Sequence, residues 1–288
     1  NDGNRAGAER MNDPSTEERL ETGELLPFAP CPFPMPDADD RRFLGEQRLH
    51  RAKEIAYDPR RDRLGGFVMS DGAPRLRRIL ADASIDATRW IRALLPRYAD
   101  HLVPLKTCLH PEEEATRTLR PAARNDLLHV DALRPASGCR ILRLGVNLHP
   151  TDARIWVTSS PLSRIFAVQA KKAGLVDPPP LTWTYQACRQ VVRLVRHFAE
   201  PRSSYDDFMF SFANGLRLSD EVQDKLPRKT WRFPPLSAWL AFTDGLVHAE
   251  LRGCCVLDHV FLVPPTAWVR PDLAPRTLIA DLGLAATA

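Results

Sequence analysis

Hydrophobic positions recur along the chain at two different spacings. From residue 74 to 95 they return every three or four residues, which predicts a helix with one apolar side. That side carries Leu76, Ile79, Leu80, Ile91 and Leu94. Residues 41–55 show the same spacing, so we expect both segments to be helices that support the core.

A different pattern begins near residue 126. Short apolar runs between residues 126 and 159 are separated by Pro135, Gly138 and Pro150, which is typical of strands. Helical composition returns from about 161 to 226. Strand-like runs then fill 229–264, with a break at Gly253.

Neither group of strands has enough members to close a core alone. We therefore expect them to join in one antiparallel β-sandwich or jelly roll. The sequence predicts a mainly β protein with flanking helices, with N-terminal buttressing helices and a helical insertion over about 161–226.

The first 40 residues lack a long periodic stretch. They are polar and then rich in proline, at Pro27, Pro30, Pro32, Pro34 and Pro36. This composition favours an extended or disordered arm over residues 1–40. Residues 41–288 then form a single domain.

Composition and charge exclude several classes of protein. The 288 residues are 44% hydrophobic and 26% charged, which is typical of a globular chain. A formal net charge of +4 gives no argument for nucleic acid. No apolar run reaches the roughly 18 residues that span a bilayer, and six cysteines without a CxxC pair indicate free thiols used in packing. We expect a cytoplasmic protein that is at most peripheral to a membrane.

The basic residues are unusual, because only six of the 40 are lysine and 34 are arginine. Arginine is the side chain best suited to carboxylates and phosphates. A genome rich in G and C explains the same bias without any function.

One histidine stands in a pattern that can carry chemistry. In His129-Val130-Asp131 the imidazole and the carboxylate point to the same side if the segment is a strand. Alone, this pair is better explained by an ion pair on a strand. His248, however, opens a strand of the later group, directly after Asp244-Gly245. Two imidazoles and one carboxylate form the facial triad that binds Fe(II) and leaves positions for a co-substrate and oxygen.

The surrounding residues resemble those of the Kdo hydroxylases. These are bacterial Fe(II)- and 2-oxoglutarate-dependent dioxygenases that act on the 3-deoxy-D-manno-oct-2-ulosonic acid (Kdo) of lipopolysaccharide. The resemblance is densest over about 118–158 and 229–264. It is carried by residues 124–132 (RNDLLHVDA), 140–143 (RILR), Asn147, 242–245 (FTDG), His248-Ala249 and Gly253.

The resemblance implies a role for each of these features. His129, Asp131 and His248 are the implied iron ligands and catalytic residues, held in a double-stranded β-helix (jelly-roll) core. 2-Oxoglutarate and O2 are consumed, and succinate and CO2 are released. The implied substrate is Kdo2-lipid A, hydroxylated at C3 of a Kdo sugar.

The expected cation for 2-oxoglutarate is missing from its usual place. Many such oxygenases have an arginine about ten residues after the second histidine, where this chain reads Leu257-Asp258-His259. Arg143 is the first candidate to replace it, and Arg140 is the second. Because these two have opposite strand parity, at most one should face the interior. Arg252, four residues after His248, ranks third, and Asn147 is a further candidate to bond the co-substrate.

Substrate contacts are expected just before the HxD segment and in the helical insertion. Arg117, Arg120 and Arg124 suit the capture of a carboxylate, and Trp156 suits a pocket wall. The insertion carries a basic and aromatic set that suits anionic headgroups at the cytoplasmic face of the inner membrane: Trp183, Tyr185, Arg189, Arg193 and Arg196. A solvated helix face is the alternative for these arginines.

Two further functions remain open from the sequence. The first is an oxygenase of the same chemistry that acts on another small molecule or on a protein side chain. The second is a jelly-roll carbohydrate-binding module without turnover, in which His129 and Asp131 form only an ion pair. Binding of Fe(II) separates the second from the enzymes.

Overall fold

Two antiparallel sheets face each other in the computed structural model, which describes residues 14–49, 54–66, 71–111, 124–133, 135–176 and 203–283. The strands, in chain order, are β1 (Leu26–Phe28), β2 (Ile55–Asp58), β3 (Arg63–Gly65), β4 (Val103–His110), β5 (Arg140–Asn147), β6 (Arg154–Pro161), β7 (Lys229–Phe233), β8 (Ala238–Phe242), β9 (Leu246–Arg252) and β10 (Val256–Val263). The helices are α1 (Thr16–Glu21), α2 (Ala38–Gly45), α3 (Ala73–Leu94), α4 (Leu162–Lys172), α5 (Ser204–Leu218), α6 (Asp220–Lys225) and α7 (Pro275–Asp281).

The chain passes back and forth between the sheets. The larger sheet has the order β1-β8-β5-β10-β4-β2-β3, and the smaller has the order β7-β6-β9. From β5 onward the chain visits the large sheet, the small sheet twice with β6 and β7, then the large, the small and the large again. The predicted mainly β fold with flanking helices is confirmed, and the strands after β4 alternate between two antiparallel sheets.

The two faces of the large sheet pack differently because side chains alternate along each strand. In β5, Leu142 and Leu144 pack against the N-terminal helices, in a core that includes Leu76 and Leu80 of α3. The opposite face of β5 looks toward the small sheet. It carries Ile141, Arg143, Gly145 and Asn147. The interior between the sheets is therefore partly polar.

The predicted helix over 74–95 is confirmed, since α3 covers Ala73–Leu94 and buries its apolar side. The helix expected over 41–55 ends at Gly45, and β2 begins at Ile55. The break expected at Gly253 is also present, between β9 and β10. The strand β4 was not expected, because Pro104 and Lys106 interrupt its apolar pattern.

The prediction of an arm over residues 1–40 is wrong for the described residues 14–40. Helix α1 buries Leu20, and Leu26 of β1 pairs with Leu240 of β8. Pro27 fits in β1 because this strand lies at the edge of its sheet, where a missing N–H breaks no ladder. The proline-rich segment is therefore an edge strand and its connections.

Much of the predicted helical insertion is present as α4, α5 and α6. The segment with Trp183, Tyr185, Arg189, Arg193 and Arg196 lies outside the described residues. Across the parts of the chain that the structure covers, no helix is both long enough and apolar enough to cross a membrane.

Candidate active site

The HxD segment lies beside β9 outside the regular strands, and His129 forms an isolated antiparallel bridge with His248. The backbone N–H of His129 donates to the carbonyl of His248 at 2.9 Å, and that of His248 donates back at 2.8 Å. Two residues later, the N–H of Asp131 donates to Thr243 at 2.9 Å. A directly opposed pair in an antiparallel bridge projects both side chains to the same side. The backbone therefore places the two imidazoles together.

The side chains of His129, Asp131 and His248 converge. Their ligand atoms lie within 4.8 Å of one another, and no other group of three such residues is found within the described ranges. Asp131 Oδ1 is 3.8 Å from His129 Nε2 and 3.9 Å from His248 Nε2. These distances are too long for hydrogen bonds, but two ligands bound about 2.1 Å from one ion can span them.

Backbone carbonyls fix the tautomer of both histidines. His129 Nδ1 donates to Leu127 O at 2.8 Å, and His248 Nδ1 donates to Leu246 O at 2.9 Å. Since a carbonyl only accepts, each Nδ1 carries the proton and each Nε2 presents a lone pair. Among the described atoms, the buried His248 Nε2 and Asp131 Oδ2 have no hydrogen-bond partner. Histidine ligands held this way are typical of metal sites.

Burial and charge set the protonation of the three groups for metal binding. Burial lowers the pKa of both imidazoles, and for His129 the neighbouring His248 and then Arg217 lower it further. Burial alone would raise the pKa of Asp131. The Arg143 guanidinium and the two imidazoles outweigh it and hold that pKa well below its usual range. Neutral imidazoles and an ionised carboxylate fit a divalent cation.

Trp156 packs against His248, one of the three candidate metal-binding side chains, rather than forming the wall of a substrate pocket. Its ring stacks on the imidazole of His248, with centroids 5.1 Å apart and planes 12° from parallel. The side chain is 1% exposed and packs with Phe233 and Trp239. The packing therefore does not support the prediction that Trp156 forms a wall of the substrate pocket. Trp156 instead holds one face of His248.

A cavity of about 590 Å³ borders the site at Asp131. Its walls come from the edge of the large sheet and from α5. The polar residues that line it include Glu54, Lys106, Asn125, Arg143 and Arg217. This volume accommodates a small co-substrate or a sugar.

Arg143 borders this cavity and is buried among carboxylates. Its Nη1 donates to Glu250 Oε1 at 2.7 Å, and its Nε lies 3.6 Å from Asp131 Oδ2. Asp258 Oδ2 is 4.0 Å from Nη2. Arg143 therefore reaches one ligand carboxylate directly while facing the cavity.

Lys106 is a cation that sequence reasoning missed. Val260 of β10 pairs with Arg143 on one side and with Lys106 of β4 on the other. The two cations thus flank Val260 in one row and both line the cavity, where Lys106 forms an ion pair with Glu54. Only pairing of β4 with β10 reveals this row, and β4 was not predicted.

The two other arginines predicted to bind 2-oxoglutarate lie away from the cavity. Arg140 has the parity of Leu142, faces the helical side of the sheet, pairs with Asp244 at 3.0 Å and lies over the Phe242 ring. Arg252 is exposed at the end of β9, past a bulge that shifts the register with β6. Neither lies among the residues that line the cavity.

Asn147 shapes a turn instead of binding the co-substrate. Its Nδ2 donates to the carbonyls of Asp152, Phe233 and Pro234, and its Oδ1 accepts from the N–H of His149. These bonds join the β5–β6 turn to the end of β7.

The arginines predicted for the substrate are only partly described. Arg124 is exposed and pairs with Asp126 at 2.8 Å. Its carbonyl accepts from Arg217 Nε at 3.0 Å, which places it beside the cavity. Arg117 and Arg120 lie outside the described residues.

The two-sheet antiparallel fold and the convergence of two histidines and one carboxylate match the arrangement that non-haem Fe(II) oxygenases use to hold their metal ion. Residues 5–285 match the sequence model of the 3-deoxy-D-manno-oct-2-ulosonic acid (Kdo) hydroxylase family. The chain therefore belongs to the Kdo hydroxylase family.

Solved structures agree with this assignment. The chain is similar to the crystal structure of the Kdo hydroxylase KdoO, a non-heme Fe(II) alphaketoglutarate dependent dioxygenase, in complex with cobalt(II). Identity is 27%, coverage is 94% of this chain and 90% of that one, and the TM-score is 0.82. The KdoO complex with alphaketoglutarate and Fe(III) matches at 26% identity, with the same coverage and a TM-score of 0.80. No curated protein matches the sequence.

Proposed function

We propose that the protein is an Fe(II)- and 2-oxoglutarate-dependent dioxygenase that hydroxylates C3 of a Kdo sugar in Kdo2-lipid A. The observation that carries this proposal is the convergence of His129, Asp131 and His248 beside a cavity. Membership of the Kdo hydroxylase family supports both the chemistry and the sugar.

Each residue of the triad has a defined task. His129 and His248 offer Nε2 lone pairs because their Nδ1 protons are held by carbonyls. Asp131 offers a carboxylate whose second oxygen lies near Arg143. When bound, Fe(II) together with 2-oxoglutarate and O2 supplies the oxidising power that replaces a C–H hydrogen with hydroxyl. The buried histidines and Trp156 exclude water from the rear of the site.

We expect Arg143 and Lys106 to bind the distal carboxylate of 2-oxoglutarate. They flank Val260 on the strand where many related enzymes place an arginine, and both face the cavity that reaches Asp131. Two adjacent cations that already hold Glu54 and Glu250 can accept a further anion with charge-assisted hydrogen bonds.

The substrate places the enzyme at a membrane. Kdo2-lipid A is an anionic glycolipid, so we expect peripheral contact with the cytoplasmic face of the inner membrane. The absence of a spanning helix among the described residues is compatible with such contact.

Metal binding tests the triad first. Purified protein should take up one Co(II) or Fe(II) per chain, and His129→Ala should abolish this uptake, because two ligands alone bind weakly. His149→Ala, at a histidine in the β5–β6 turn, is the matched control. Equal metal uptake by His129→Ala and wild type would sink the proposal.

Turnover tests the substrate. With Fe(II), 2-oxoglutarate and Kdo2-lipid A, mass spectrometry should find one added oxygen atom on the Kdo part. Succinate formation with an unmodified glycolipid would favour an oxygenase that acts on another substrate. A chain that binds no metal would instead favour the carbohydrate-binding module.

The cation row is tested by binding of 2-oxoglutarate. Lys106→Met should weaken binding by about 10-fold or more, since one charged hydrogen bond is lost, while Co(II) uptake stays unchanged. Arg143→Ala should weaken it too. Calorimetry on the Co(II)-loaded protein measures both, and unchanged affinity in both variants would move the role to other residues.

A further inference from the structure

One face of α5 forms part of the wall of the cavity. Phe210, Ala213 and Arg217 are spaced by three and four residues, so they share one side of the helix, and all three line the cavity. Arg143 and Lys106 lie on the sheet side of the same cavity. The cavity is thus lined by cations from both the large sheet and α5.

The position of Arg217 relative to the triad is fixed by hydrogen bonds. Gln223 of α6 accepts from the N–H of Leu128 at 2.9 Å and donates to Leu128 O at 3.0 Å. Its Nε2 also donates to Leu216 O at 2.9 Å. One side chain therefore ties the residue before Arg217 to the residue before His129.

The guanidinium of Arg217 is also oriented. Its Nε donates to the carbonyl of Arg124 at 3.0 Å. The side chain is half-buried and lines the same cavity as Asp131. Arg217 is thus held by the Arg124 carbonyl at a cavity that also reaches Asp131.

The proposed substrate has an anion next to the reacting carbon. In a Kdo sugar the C1 carboxylate is attached to C2, and C3 is the next carbon. A cation that binds this carboxylate close to the triad holds C3 beside the metal position. The phosphates of lipid A lie on other sugars and cannot provide this alignment.

We propose that Arg217 binds the C1 carboxylate of the Kdo sugar and thereby selects C3 for hydroxylation, with Phe210 packing against the sugar ring. This inference rests on the proposed function. Phe210 is 42% exposed at the cavity, where an aromatic ring can cover the apolar face of a sugar. Arg217 and Phe210 then determine which sugar acid is accepted, while Arg143 and Lys106 hold the co-substrate.

Direct binding tests the proposal without turnover. The probes are the methyl glycoside of Kdo and its C1 methyl ester, titrated by NMR into the protein loaded with Co(II) and 2-oxoglutarate. Wild type should prefer the acid by about 10- to 100-fold, as expected for a charge-assisted hydrogen bond. Arg217→Gln should bind both probes equally weakly, and Arg217→Lys should recover part of the preference.

Two controls keep the result specific. Arg89→Gln, on α3 at the outer side of the large sheet, should behave as wild type. Arg217→Gln should retain Co(II) and 2-oxoglutarate affinity, which shows that the site is folded. Unchanged acid affinity in Arg217→Gln overturns the proposal.

Kdo2-lipid A and its dephosphorylated form separate the two sources of anion. Dependence of binding on Arg217 should persist after phosphate removal, and its disappearance would assign Arg217 to a phosphate and overturn the carboxylate proposal. If the glycoside depends on Arg217 but wild type adds no oxygen to Kdo2-lipid A, the proposed function fails while carboxylate recognition stands.

Discussion

At the site, individual carbonyls and side chains fix the orientation of the three converging side chains. The carbonyls of Leu127 and Leu246 choose the tautomer of the two histidines, and Arg143 contacts the outer oxygen of Asp131. Trp156 covers one face of His248. Such supporting contacts commonly change metal affinity by about 10- to 100-fold when removed.

Trp156→Leu should therefore weaken Co(II) binding by about 10-fold or more, because the imidazole of His248 loses the ring that limits its rotation. Trp156→Phe should restore most of the affinity, since an aromatic face remains. Titration followed by Co(II) absorption measures both variants. Trp90→Leu, at an aromatic that packs on Phe28 and Phe33 in the helical core, is the control, and an equal loss of affinity there would show a general packing effect.

Pairs of strands decide which residues meet between the sheets. Gly145 of β5 lies opposite Trp239 of β8, and a Cβ on Gly145 would lie 2.3 Å from the indole ring. Here glycine is required for space. The close approach of β5 to Trp239 also keeps Trp239 against Trp156, whose ring centroids are 5.5 Å apart.

Gly145→Ala should lower the free energy of unfolding by about 1–3 kcal/mol or more, because the added methyl overpacks a rigid aromatic contact. Urea denaturation measures the change. Gly65→Ala is the matched control, since its Cβ meets nothing within 4 Å. If Gly145→Ala lowers the free energy of unfolding no more than Gly65→Ala does, the Trp239 ring can move aside.

At the scale of the whole molecule, the N-terminal segment closes the helical side of the core. Leu20 is fully buried, and Glu21 accepts a hydrogen bond of 2.5 Å from Tyr98 and others from the backbone of Val269 and Arg270. The carboxylate of Glu21 therefore joins the first part of the described chain to the last.

Leu20→Ala should cost about 2–5 kcal/mol of stability, as for other buried leucines. Ile85→Ala on α3, where the side chain is 56% exposed, should change stability by less than about 0.5 kcal/mol. Thermal and urea unfolding compare the two. A Leu20→Ala protein as stable as wild type would restore the view that this segment is a dispensable arm.

The sequence by itself determined the elements whose pattern is local. The 3.6-residue period of α3, the break at Gly253 and the period-two geometry of His129 and Asp131 all depend on neighbours in the chain, so they could be predicted from it. The partner histidine at 248 was found because it opens a strand of the second group, in a context that resembles a known family.

Tertiary structure alone decided what depends on pairing between distant segments. Residues 14–28 were predicted as an arm because local composition does not show that an edge strand has a partner in β8. Lys106, Arg143 and Arg217 share one cavity only because β4, β5, β10 and α5 surround it. Strand parity turns Arg140 to the other face of the sheet. A bulge in β9 shifts the register at Arg252. The physical reason is that periodicity fixes which way a side chain points along its own element, whereas register and packing fix what it meets.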